Sequence, residues 1–182
     1  MVVVNIYGVP GSGKSTAAAY LFYKFKEAGV NAELITEFTK DLIWEDNYKA
    51  ISNQFYVAGN QLYRLTRIKD KVDVVVTDSP MLLQPVYYKY NGGTMPDVFE
   101  LLIHEIDKEF QNINYVLPIP TEIESAGRIH DINDAINIYK LIADTFERYD
   151  VPYKEINRKT EEYDKIFENV KGLINPVKED KL

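Results

Sequence analysis

Val2-Val3-Val4-Asn5-Ile6-Tyr7-Gly8-Val9-Pro10-Gly11-Ser12-Gly13-Lys14-Ser15-Thr16 decides how the rest of this chain is read. The run 2–7 is apolar enough for a strand buried on both faces. From Gly8 to Ser15 the spacing is G-x-x-x-x-G-K-[ST], and helical periodicity follows from Thr16 to Ala28. Strand, glycine-rich loop and helix in that order are the context in which this spacing means phosphate binding. Glycines let the backbone curl with its N–H groups inward, and the helix N-terminus adds partial positive charge toward the same point. The Lys14 amine then reaches the β- and γ-phosphates of a nucleoside triphosphate, and the Ser15 hydroxyl ligates Mg²⁺. Gly8, Gly11, Ser12, Gly13, Lys14, Ser15 and Thr16 are the candidate contacts to ATP. The competing reading is a glycine-rich turn that matches the spacing by chance.

Outward from this loop, apolar strand patterns alternate with helical ones, which predicts an α/β fold with a parallel sheet. Strands are expected at 2–7, 31–36, 72–77, 113–118 and 151–156. Helices are expected at 14–28, 49–70, 80–90, 97–109, 133–149 and 160–174. Gly29 occupies the place just past the first helix, and Pro96-Asp97 restarts helix after the break at Asn91-Gly92-Gly93. The second strand alternates more than the first, which places it nearer a sheet edge. Residues 1–175 are expected to form one domain with a lid at about 121–132, and 176–182 a frayed tail.

The third strand runs into Asp78-Ser79-Pro80. A carboxylate at the carboxyl end of a strand in such a sheet faces the ligand crevice, so Asp78 is the candidate second Mg²⁺ holder beside Ser15. Its alternative is a helix cap, a role Ser79 can take instead. Glu37 closes the second strand and by the same geometry points into the crevice. There it can accept a proton from an attacking hydroxyl, or simply stand in solvent. In the helix expected at 49–70, Ile51, Phe55, Ala58, Leu62 and Leu65 form the apolar stripe. Gln54 and Gln61 fall about 20° apart at its border. Paired amides there suit recognition of a base edge, or the capping of backbone groups at the sheet end. Arg64 and Arg67 can clamp an acceptor phosphate or be solvated. Trp44 can wall the acceptor pocket or pack in the core.

The polar segment after the fourth strand, from Pro118 to Asp131, is the expected lid. Arg128, beside Gly127, is the candidate arginine that steadies the transferring phosphoryl group, a role worth roughly 10³–10⁵ in rate; its alternative is a plain surface-loop residue. Arg158, just past the last strand, can stack on adenine or be a solvated loop residue. Asp144 and Arg148, four apart, are expected to pair along one helix. His130 and His104 lack neighbours of metal-ligand spacing.

Composition narrows the classes. The chain has 182 residues, no cysteine and a formal charge of −7. That excludes a disulfide framework and a thiolate metal site, and it argues against a broad footprint on duplex nucleic acid. A short basic strip at Arg64, Arg67, Lys69 and Lys71 is what favours an acceptor base within DNA. No apolar run approaches the ~20 residues of a membrane span, and the N-terminus lacks signal-peptide features. The expectation is a cytoplasmic protein with no membrane partner. A homodimer is compatible with the sequence.

Taken together, Gly8 to Thr16, Val75-Val76-Thr77-Asp78-Ser79-Pro80 and Gly127-Arg128 give the chain a resemblance to small P-loop kinases of the nucleoside and nucleotide kinase group. It resembles in particular the phage-type AAA-domain family related to the ribosylnicotinamide kinase domain. The resemblance implies a P-loop NTPase three-layer α/β/α sandwich, with a five-stranded parallel sheet, the phosphate-loop strand central, and a lid. It also implies ATP and Mg²⁺ as cofactors, a nucleoside, nucleotide or similar small molecule as acceptor, and action in the host cytoplasm for a phage-encoded member. A looser similarity to deoxynucleoside kinases matches Glu37 to their base, Trp44 to their tryptophan, and Gln54 or Gln61 to their base-reading glutamine. Those kinases have acid-arginine-serine after strand three, where this chain has Asp78-Ser79-Pro80. A nucleotide-driven regulatory ATPase is the alternative from another class; no Asn-Lys-x-Asp motif of guanine recognition is present.

Overall fold

Strands β1 (Val2–Tyr7), β2 (Ala32–Ile35), β3 (Val74–Thr77), β4 (Gln111–Val116) and β5 (Tyr153–Glu155) form one sheet in the order β2-β3-β1-β4-β5, with every pair parallel. The computed structural model describes residues 1–121 and 132–174. The apolar run in β1 is explained by its place: it is central, and all its residues are buried. The edges are the short strands β2 and β5, and β5 is exposed throughout. Short edges offer little template for pairing with another chain.

Alternation along β1 sends its side chains into two separate cores. Val2, Val4 and Ile6 pack with α1 (Lys14–Glu27) and α8 (Thr160–Ile174), where Phe25 meets Phe167 at 5.2 Å. Val3 and Tyr7 pack on the other face with α4 (Gln54–Thr66), α5 (Leu83–Tyr90), α6 (Pro96–Asp107) and α7 (Ile132–Arg148). Two helical layers enclosing a parallel sheet are the expected three-layer sandwich. Among the described residues no helix is long and apolar enough to cross a membrane.

The sequence-based expectations fail in particular places. The helix expected over 49–70 is broken into α3 (Tyr48–Ile51) and α4, and an unexpected helix, α2 (Phe38–Trp44), precedes them. Asparagine explains both starts: the Asn47 side chain accepts from the Ala50 N–H, and that of Asn53 from the Tyr56 N–H. The break changes which face is inward. Gln54, Val57, Ala58, Gln61 and Leu65 are buried, while Phe55 is 48% exposed.

The strand expected at 113–118 is β4 at 111–116, because Gln111 already pairs with Val2. The helix expected from 80 begins at Leu83, after a turn in which the Leu83 N–H donates to the Pro80 carbonyl at 3.0 Å. Ser79 is therefore no cap for α5; its hydroxyl accepts from Gln84 Nε2 at 3.4 Å. Arg148 pairs not with Asp144 but across to α6, with Asp97 at 2.9 Å and the buried Glu100 at 3.2 Å.

Candidate active site

With all strands parallel, their carboxyl ends share one edge. β2 and β3 lie on one side of β1, β4 and β5 on the other. The crevice of such a sheet opens at the end of β1, where the connections diverge. There the chain makes its loop. The Ser12 N–H donates to the Val9 carbonyl at 3.1 Å, with Pro10 second and Gly11 (φ 82) third in the turn, the residue pattern of type II. Gly8 cannot be replaced without disturbance: at φ 147, an added Cβ would lie 2.5 Å from Ser12 Oγ.

The loop then feeds α1 in a form suited to an anion. Its N-cap residue, Gly13, supplies no side chain to the first N–H groups, and no acid stands in the first turn. Orphan N–H groups and the helix dipole therefore point toward the loop. Ser12 Oγ is buried without a hydrogen-bond partner among the described residues, an orphan that a phosphate oxygen would satisfy. The Lys14 amine folds back to the Val9 carbonyl at 2.9 Å, inside the loop. Ser15 and Thr16 are exposed at the start of α1. These residues fit a bound triphosphate.

Asp78 follows β3 and is 4% exposed. Its Oδ1 accepts the backbone N–H of Glu37, at the end of β2, at 3.1 Å. The backbone of one acid that sequence reasoning placed at a strand end is thus joined to the side chain of the other. Burial pushes the Glu37 carboxyl above its ordinary range; Lys14 draws it back, Asp78 adds to the rise, and Lys40 opposes it. Lys14, Glu37 and Asp78 consequently sit within electrostatic reach of one another. Burial, and then the Glu37 carboxyl, push the Tyr87 phenol upward as well. Tyr87 on α5 and Lys40 on α2 are site neighbours that sequence reasoning missed. Their signal was weak, since each depends on where its helix docks. Ser15 and Asp78 remain the candidate pair for Mg²⁺; among the described residues no group of three or more His, Cys, Asp or Glu gathers to hold a metal.

The remaining expected residues are placed otherwise. Gln54 donates to the Ile51 carbonyl at 3.0 Å, closing the α3–α4 turn. Gln61 is 2% exposed; its Oε1 accepts the Phe38 N–H at 3.2 Å. Arg64 pairs with Asp41, donates to the Thr36 carbonyl at 3.3 Å and lies 5.0 Å from the Phe38 ring centroid. The contact of Gln61, and those of Arg64, secure the start of α2. Arg67 is exposed at the end of α4. Trp44, last in α2, is 79% exposed, which rules out core packing. Arg158 lies across the loop, its Cδ 3.3 Å from where a Gly13 Cβ would be. Arg128, Gly127, His130, most of the expected lid and the tail at 176–182 lie outside the described residues.

Sheet, loop and paired strand-end acids define a P-loop nucleotide-binding domain. A family model described as an AAA domain matches residues 3–163. The chain belongs to that family. No curated protein matches it.

Proposed function

We propose that this protein transfers the γ-phosphoryl group of ATP to a hydroxyl of an uncharged small molecule, with nucleosides the leading class. The observation that carries the reading is that the Glu37 backbone N–H rests on Asp78 Oδ1 at 3.1 Å, with the proton affinity of the Glu37 carboxyl raised by burial and that carboxyl within electrostatic reach of Lys14 and Asp78. The loop N–H groups and Lys14 would hold the β- and γ-phosphates, and Ser15 and Asp78 would hold Mg²⁺. Bound there, Mg²⁺ neutralises the charge that develops on the phosphate oxygens. Glu37 takes the proton of the acceptor hydroxyl as its oxygen bonds to the γ-phosphorus, and the bond from that phosphorus to the β–γ bridging oxygen breaks to release ADP. Arg128 is the proposed extra cation, and Arg158 the adenine contact.

Arg64 speaks for an uncharged acceptor over a nucleotide. A monophosphate needs a cation to receive it; of the two arginines expected for that work, this one is committed to Asp41 and the Thr36 carbonyl, and Arg67 lies exposed past the last turn of α4. The test is a panel of nucleosides and nucleoside monophosphates offered with MgATP, read as ADP release and phosphorylated product. A nucleoside is expected to be phosphorylated, and Glu37→Gln to slow that transfer by about 10²–10⁴. Turnover of monophosphates alone, or full activity in Glu37→Gln, would overturn the reading.

A further inference from the structure

We propose that Gln61 and Arg64 are positioning residues that lock the backbone on both sides of Glu37 and so aim its carboxylate; this rests on the base role just given to Glu37. Three consecutive residues carry the lock. The Thr36 carbonyl accepts from Arg64 Nη1 at 3.3 Å and lies 3.5 Å from Gln61 Nε2. The Glu37 N–H donates to Asp78 Oδ1 at 3.1 Å. The Phe38 N–H donates to Gln61 Oε1 at 3.2 Å. Two helix-borne side chains and one strand-end acid thus fix the peptide groups that set the direction of the Glu37 Cα–Cβ bond.

Glu37 itself is the N-cap residue of α2, yet its side chain makes no capping hydrogen bond. The usual local work of an N-cap side chain is left undone. Backbone fixation from outside replaces it. That arrangement leaves the Glu37 carboxylate without capping duty at the start of α2.

The residue types match this work. Gln61 and Arg64 are three apart on α4, hence on one face. An amide supplies a donor for the carbonyl before Glu37 and an acceptor for the N–H after it. A guanidinium can serve a carbonyl, a carboxylate and an aromatic face together, which a lysine cannot. Arg64 does so with Thr36, Asp41 and Phe38, tying the lock to the body of α2.

The test compares Gln61→Met and Arg64→Lys, alone and combined with Glu37→Gln. ADP release from MgATP is measured with water as acceptor, and with a mixture of the four common deoxynucleosides. Each single variant is expected to lower kcat about 10–100-fold, the scale of a reacting group misplaced by about an ångström. The KM for MgATP is expected to stay within about twofold. In the Glu37→Gln background neither substitution should cost more than about a further twofold, because both act through the missing carboxylate. Amide hydrogen exchange gives a readout independent of activity: the Phe38 N–H should exchange faster in Gln61→Met, and the N–H groups of β3 should not.

Unchanged Phe38 exchange would overturn the lock. A loss of melting temperature with kcat preserved would make both residues structural only. Equal kcat losses with and without Glu37 would show that they act elsewhere, and a raised acceptor KM alone in Arg64→Lys would make that residue an acceptor contact. Full activity in Glu37→Gln alone would overturn the functional reading, and the positioning role with it. Exchange at Phe38 distinguishes that outcome from failure of the lock.

Discussion

Asp78 accepts the backbone N–H of Glu37 at 3.1 Å, so the acid at the end of β3 holds in place the residue that ends the neighbouring strand-to-helix connection. A carboxylate offers about four lone-pair sites on two oxygens, so one backbone contact leaves capacity for a cation. The structural role of Asp78 and the proposed metal role can thus be separated by charge. Asp78→Asn keeps an oxygen for the Glu37 N–H and removes the negative charge. Its melting temperature should stay close to wild type, while phosphoryl transfer falls by at least about 10²-fold. Thermal melts and ADP release measured over a magnesium titration check this; unaltered magnesium dependence would remove Asp78 from the metal site.

Gly8→Ala places a methyl group 2.5 Å from Ser12 Oγ at a backbone φ of 147. Strain at such a position costs of order 1–3 kcal/mol, and relief requires the loop to move. Loss of calorimetrically detected MgATP binding is expected together with a lower urea midpoint. Gly59→Ala is the control: it lies in α4, and nothing stands within 4 Å of its added Cβ. It should stabilise by about 0.4–1 kcal/mol and leave binding intact.

The sandwich, the central strand and the loop were legible because each rests on local signals: an apolar run, a glycine spacing, a helix that follows. Glu37 and Asp78 were legible because a parallel sheet gathers its carboxyl ends at one edge. The break between α3 and α4 was not, since Ile51, Phe55, Ala58 and Leu62 keep helical period through it, and only the capping chemistry of Asn53 shows where the chain stops and restarts. The roles of Gln61 and Arg64 depend on where α2 docks, and α2 itself was not foreseen. Arg148 had a partner at helix spacing and another across the α6–α7 contact; the second prevails because Glu100 is buried there and needs a counter-charge.

Asp107, at the end of α6, was not singled out in the sequence, yet it is 7% exposed and burial lifts its carboxyl to about 7. Asn112 Nδ2 donates to its Oδ2 at 2.9 Å. An unfolded aspartate ionises near 3.9, so between roughly pH 4 and 7 the folded chain holds a proton that the unfolded chain has lost. Stability contributed by this group is therefore full below about pH 4, declines as pH rises through that window, and is level above it. Asp107→Asn keeps the acceptor for Asn112 and cannot ionise. Urea unfolding should find the variant more stable than wild type at pH 8 by a few kcal/mol, with the difference shrinking toward pH 5. A constant difference across that range would show that Asp107 does not titrate there.

Arg158 gives the most direct check on which part of the nucleotide lies where. Its side chain crosses the loop at Gly13, beside Tyr163, and it is exposed rather than locked. A guanidinium over an exposed ring contributes about 0.5–1 kcal/mol, so Arg158→Ala should weaken MgATP binding about two- to fivefold. Inorganic triphosphate with magnesium lacks the ring, and its affinity should not change. Calorimetric titration of both ligands into both proteins separates the cases. An equal loss for both would make Arg158 a phosphate contact, and no loss for either would place the adenine away from it.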